Sequence, residues 1–237
     1  MLKNNFKKER IPLTNPDIEY YRAKYGKKKP SQTLTSQVAQ QMPAFQDVID
    51  NVESNDGVFG HDKIFSEIEE KYNIDLDKKL LQGLGRAADK ILEQVTKKKL
   101  GTDILSQYEM ALGESCEDTH KGLKLCAAAL ILPHLFNESS DKLYVINKVH
   151  RAPTPLLVVD GNPFGDCIIT LRMDGVSIAN PDDISMGLVA LLGTYFVFGV
   201  KYAESVKKTL AFLQVVSGIQ SAEKINPTVL RMANAFL

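Results

Sequence analysis

Residues 184–200, "ISMGLVALLGTYFVFGV", hold no charged side chain. Whatever this chain folds into must take that run out of water. A bilayer is one destination, but a spanning helix needs about 20 apolar residues, within a range of roughly 17–25. This run stands at the short end and is interrupted by Gly187, Gly193 and Gly199. The alternative is the central helix of a soluble core, which is apolar all round for the same reason. That reading is adopted here, and no membrane span is expected. The flanks give start and stop signals. Asn180 suits an N-cap, Pro181 a first helical position and Asp182 and Asp183 the positive end of the helix dipole, while Gly199 closes the helix. The expected helix, 182–199, then packs on a face of whatever sheet the chain supplies.

A sheet is expected immediately upstream. "TPLLVV" and "CIITLRM" are short aliphatic and β-branched runs, and "VSIA" follows Asp174-Gly175. An Asp-Gly pair between two such runs marks a tight hairpin, because both central positions need positive φ. The expectation is a three-stranded antiparallel meander over about 155–159, 167–173 and 176–179. "DGNPFGD", residues 160–166, is read as the turn joining the first two strands.

The remainder reads as helix. Pro43 opens a segment with Phe45, Val48, Ile49 and Val52 on one face, ended by "ESNDG". Ile64, Phe65, Ile68 and Tyr72 mark a helix over His61–Tyr72. Leu76, Leu80, Leu84, Ala87, Ile91 and Val95 mark a longer one from about Asp75 to Lys98, with an acidic start and a basic end. A shorter helix follows Thr102 as N-cap and ends at Gly113. "HKGLKLCAAALILPHLF" is too densely apolar for a surface helix, and Pro133 is expected to kink or end it. After the apolar run, Val206, Leu210, Leu213 and Ile219 point inward from an amphipathic helix. Asn226-Pro227 interrupts it, and "TVLRMANAFL" reads as a short apolar-faced tail helix. Residues 1–36 show no regular apolar spacing and read as a polar, basic, disordered tail, with nine Lys/Arg against Glu9, Asp17 and Glu19 in the first thirty residues. The expected fold class is therefore α+β: a mostly helical single domain over 37–237, with helices in 43–136, the meander in 155–179 and helices in 182–235. Its small three-stranded antiparallel sheet packs on the buried helix.

Charge and motifs narrow the functional classes. Lys and Arg number 29, as do Asp and Glu, so no global field steers nucleic acid or acidic membrane. No apolar run follows the first basic residues, so no secretory signal is expected. Cys116, Cys126 and Cys167 form no disulfide framework, which fits a reducing intracellular compartment, cytoplasmic or nuclear. Lys27, Lys28 and Lys29 are the candidate nucleic-acid contact, though they are fewer than the basic clusters that usually carry such binding. "DGNPFGD" lacks the Lys-Ser/Thr of a phosphate loop, and Pro163 removes a donor. "GLG" at 83–85 resembles the start of a dinucleotide fingerprint but lies within a helical stripe. Cys116, His120, Cys126 and His134 are conceivable metal ligands without the paired close spacing of zinc sites. No nucleophile elbow exists. No cofactor or metal is expected, and no residue is assigned a catalytic role.

The order "AAALILPHLF", "APTPLLVVDG", "CIITLRMDGVSI", "GLVALLGTYFVFGVKY" and "KTLAFLQ" resembles the C-terminal region of uncharacterised animal proteins of the sterile-alpha-motif-domain-containing group. "QMPAFQDVI" and "IFSEIEEKYNIDLDKKLLQGLG" resemble the helical region preceding it. The resemblance covers about residues 37–220 and does not include the sterile alpha motif domain itself, for which residues 1–36 are too short and too polar. It implies an intracellular animal protein and brings no catalytic motif.

The expected function is a non-enzymatic interaction or adaptor protein, whose partners are other proteins. Two alternatives stay open: a nucleic-acid-associated protein using the basic tail, and an enzyme whose site is assembled from distant residues. The second predicts a deep pocket around His150, Asp160 or Asp166.

Overall fold

The apolar run does become a buried helix. The computed structural model describes residues 60–148, 152–220 and 225–237, all within one compact unit, Val58–Leu237. The basic tail, its Lys27–Lys29 cluster and the helix expected from Pro43 lie outside these residues, as does His150. Four helices come first: α1 His61–Tyr72, α2 Leu76–Lys98, α3 Thr102–Glu114 and α4 His120–Leu135. Strands β1 Tyr144–Ile146, β2 Leu156–Gly161, β3 Cys167–Met173 and β4 Val176–Ala179 follow, then α5 Ile184–Val197, α6 Lys207–Ser217 and α7 Pro227–Phe236.

The local signals explain most boundaries. Asp75 caps α2 by accepting from the Lys78 amide at 3.2 Å, and Asn226 caps α7 by accepting from the Thr228 amide at 2.8 Å. α2 buries Leu76, Leu80, Leu84, Ala87, Ile91 and Val95 against its neighbours. Several boundaries move, among them the end of α5, which stops at Val197 with Phe198 as its C-cap and so closes before Gly199. α5 is capped by Asp183, whose carboxylate accepts from the Met186 amide at 2.8 Å, so the helix starts at Ile184 and Asn180 and Pro181 precede it. Gly101, not Thr102, is the N-cap of α3. α4 runs through Pro133 to Leu135. The proline sits in the last turn, where its missing N–H removes a single bond from the ladder.

The sheet departs from the expected meander. It has four strands in the order β1-β2-β3-β4, and β1 runs parallel to β2, so the sheet is mixed. The β2–β3 and β3–β4 pairs are antiparallel as expected, and the Asp174-Gly175 hairpin has positive φ at both positions, 53° and 82°. Strand β2 extends through Asp160-Gly161, so the turn is shorter than "DGNPFGD". Leu156 to Val159 are buried in succession because both faces of the sheet are covered. Leu157, on one face, meets α5 near Gly187. On the other face Val145, Leu156 and Val158 form a second cluster with Ala152.

α5 packs on β2 and β3 and also on α1, α2 and α4, which is why its whole circumference is apolar. It is 14 residues long. Among the described residues no helix is long and apolar enough to cross a membrane. Phe136, Phe212 and Phe236 form a ring series with centroids 5.8 and 6.2 Å apart, joining α4, α6 and α7.

Candidate functional site

The turn between β2 and β3 is built from its own side chains. Asn162 Oδ1 accepts from the Phe164 amide at 3.0 Å, and Asn162 O accepts from the Gly165 amide at 3.0 Å. The Cys126 thiol, from α4, donates to Pro163 O at 3.2 Å. Burial pushes the Cys126 thiol far above the usual thiol range, so it serves as a neutral donor and not as a thiolate. Phe164 turns inward and stands 6.1 Å from the Tyr108 ring of α3.

Asn147 fixes the other flank. It lies just past β1 with φ 52°. Its amide N–H donates to Val159 O at 2.8 Å. Its side chain accepts from the Gly161 amide at 2.7 Å and donates to Gly161 O at 3.2 Å. One asparagine thus replaces a missing strand residue beside β2. Gly161 has φ 116°, and a Cβ there would stand 2.5 Å from Asp166 O, so only glycine fits.

Between this turn and α3 lies an open cleft of about 530 Å³. Gln107, Met110, Ala111 and Glu114 form one wall, since spacings of three, one and three place them on one face of α3. Ser115, Ile146, Asn147 and residues 161–165 complete the lining. Met110 is 65% exposed, which is unusual for so large an apolar side chain. The cleft's volume falls within the range of small-ligand sites, roughly 300–1,000 Å³. Among the described residues Glu114 is the one carboxylate on the lining, and no histidine, cysteine or lysine joins it. The surface therefore offers amide hydrogen bonds, a polarizable thioether and a single charge.

The residues singled out from sequence do not converge. Asp160 and Asp166 are exposed and flank the turn outside the lining. Cys116 is exposed and Cys126 buried. His120 is half-buried, and its Nε2 has no hydrogen-bond partner among the described residues. His134 lies near the end of α4. Among the described residues no three His, Cys, Asp or Glu side chains are placed to hold a metal. Gly83 and Gly85 are interior to α2, where Gly83 abuts Val216 and no phosphate loop exists. The reading from sequence missed the α3 wall. The available signal was Met110 on the face of α3 otherwise marked by Gln107 and Glu114.

Over 98 residues, 40% of the chain, the sequence is 31% identical to sterile alpha motif domain-containing protein 3 of Mus musculus. Over 102 residues, 42% of the chain, it is 28% identical to the protein of the same name in Homo sapiens. The matched stretch spans 19% of each of these relatives. The resemblance drawn from the sequence to the sterile-alpha-motif-domain-containing group is thus borne out over part of the chain. No family model matches the chain, and no solved structure matches it.

Proposed function

We propose that this chain is a non-enzymatic protein-interaction module, and that the cleft between α3 and the β2–β3 turn is its recognition surface. Met110 carries the reading. A large, flexible apolar side chain left 65% exposed beside a cleft is the kind of group that adaptable binding surfaces use. The lining supports binding over catalysis. Among the described residues that line it, Glu114 is the single ionisable side chain, so the lining itself holds no acid–base pair.

The test is a nuclease-treated pull-down from the cells that make the protein, comparing the wild-type chain with Met110→Lys. The expected result is a set of proteins captured by the wild type and lost from the variant, while both show the same circular dichroism. Equal capture by both would remove the cleft from the reading. Capture that disappears with nuclease would turn attention to nucleic acid and the Lys27–Lys29 tail.

A further inference from the structure

The following inference rests on the interaction reading and specifies its partner. The backbone gives the C-terminal end of a helix partial negative charge, which sequences commonly offset with Lys, Arg or His. α2 does so with Lys97 and Lys98. α3 does the reverse. Its last turn has no basic residue, and its last helical residue is Glu114. That carboxylate is exposed and lines the cleft.

Just outside the lining on the opposite side the sign is the same. Asp160 and Asp166 bracket the turn, both exposed. Among the lining residues and their immediate chain neighbours stand Glu109, Glu114, Asp160 and Asp166 against Lys148 alone, four carboxylates to one ammonium. Such a rim repels phosphate and attracts cations. The interior is different in kind, because Met110 and Ile146 offer hydrocarbon.

We propose that the cleft receives a basic segment of a partner protein, with a lysine or arginine at Glu114 and an adjoining apolar side chain against Met110 and Ile146. The cation stands at an end of α3 whose own last turn holds no basic residue. The apolar neighbour covers the exposed thioether. A polyamine supplies only the first element and an acidic or phosphorylated peptide only repulsion, so neither fits.

Fluorescence anisotropy with three labelled ten-residue peptides tests this: alternating Lys-Leu, alternating Lys-Ser and alternating Glu-Leu. The Lys-Leu peptide should bind, and the other two should bind about tenfold more weakly or not at all. Glu114→Lys and Met110→Lys should each weaken Lys-Leu binding about fivefold or more, with Glu114→Gln between wild type and Glu114→Lys. Glu69→Lys, an exposed acid on α1 outside the cleft, should leave it unchanged. Raising salt from 50 to 300 mM should weaken it further. Equal binding of the Glu-Leu peptide, or equal losses from Glu69→Lys and Glu114→Lys, would overturn the proposal. If Met110→Lys still abolished protein capture in that event, the interaction reading would stand and only the basic partner would fall.

Discussion

Gly83 shows how a single hydrogen atom in place of a methyl group decides a helix crossing. A Cβ at this position would stand 2.3 Å from Val216 Cγ1 and 2.9 Å from Val216 O. The first atom belongs to a side chain, but the second is backbone of α6 and moves only with its helix. Alanine would raise the helix propensity of α2 by about 0.5–1 kcal/mol. Overpacking in a filled core costs roughly 1–3 kcal/mol, so the clash should win. Gly83→Ala should therefore lower the urea midpoint with little change in slope; an unchanged or raised midpoint would show that α6 yields freely. "GLG" also illustrates what single residues reveal in sequence. Glycine admits a phosphate and a neighbouring helix by the same means, and only the surrounding stripe of Leu80, Leu84 and Ala87 separates them. Met110 was harder to read. An apolar residue on a helix reads as core, and its exposure depends on what the fold leaves opposite it.

At the scale of elements, α6 begins with a cap it does not carry. Glu138, seventy residues before Lys208, accepts from the Lys208 amide at 2.8 Å and from the Thr209 amide and hydroxyl at 2.9 and 2.8 Å. Removing such an acceptor leaves helix donors unpaired and costs about 0.5–2 kcal/mol. Glu138→Ala should reduce stability by that amount and speed amide exchange at Lys208 and Thr209. Unchanged exchange at those two amides would show that the carboxylate is dispensable. No local pattern around Val206 could announce this cap, because its acceptor is distant in sequence. The Asp174-Gly175 hairpin was easier, since it declared its own turn, whereas Asp75 and Asn226 read only as an acidic helix start and a break between helices. In "NPDD" before α5, Asn180 reads as the cap from sequence, and the fold uses the last aspartate instead. β1 escaped notice for a different reason. Its three residues pair in parallel with β2 at a distance, so neither length nor turn chemistry marks them.

For the whole molecule, the hydrophobic pattern foretold the layers better than their edges. The burial of "LLVV" on both sides and the apolar girth of α5 together require helices on one face and further chain on the other. The same core carries two tyrosines whose ionisation it resists. Tyr144, whose hydroxyl donates to Leu130 O at 2.7 Å, and Tyr195 are both pushed up to about 12, chiefly by burial. Up to about pH 10 both folded and unfolded chains keep these protons. Between 10 and about 12 the unfolded chain releases them and the folded chain does not, so stability falls as pH rises through that window. The loss is on the order of 1.4 kcal/mol per pH unit for each tyrosine. Stability followed by circular dichroism should decline from pH 10 upward, with late tyrosinate absorbance appearing as the fold is lost. Smooth titration of every tyrosine near 10 in a folded chain would contradict it.

The edges of the sheet bear on whether one copy can extend the sheet of another. Exposed edge strands invite strand addition and aggregation, and short strands, bulges and covering chain suppress both. Here β1 offers three residues, and β4 departs from regular register opposite Leu171 and Arg172. Ile178 O on β4 is already taken by the Gly60 amide at 3.1 Å, where the chain enters α1. An incoming strand therefore finds three residues to pair with at β1 and an interrupted, partly occupied edge at β4. Among the described residues, then, the sheet offers short or interrupted margins, a poor template for growth from one copy to the next.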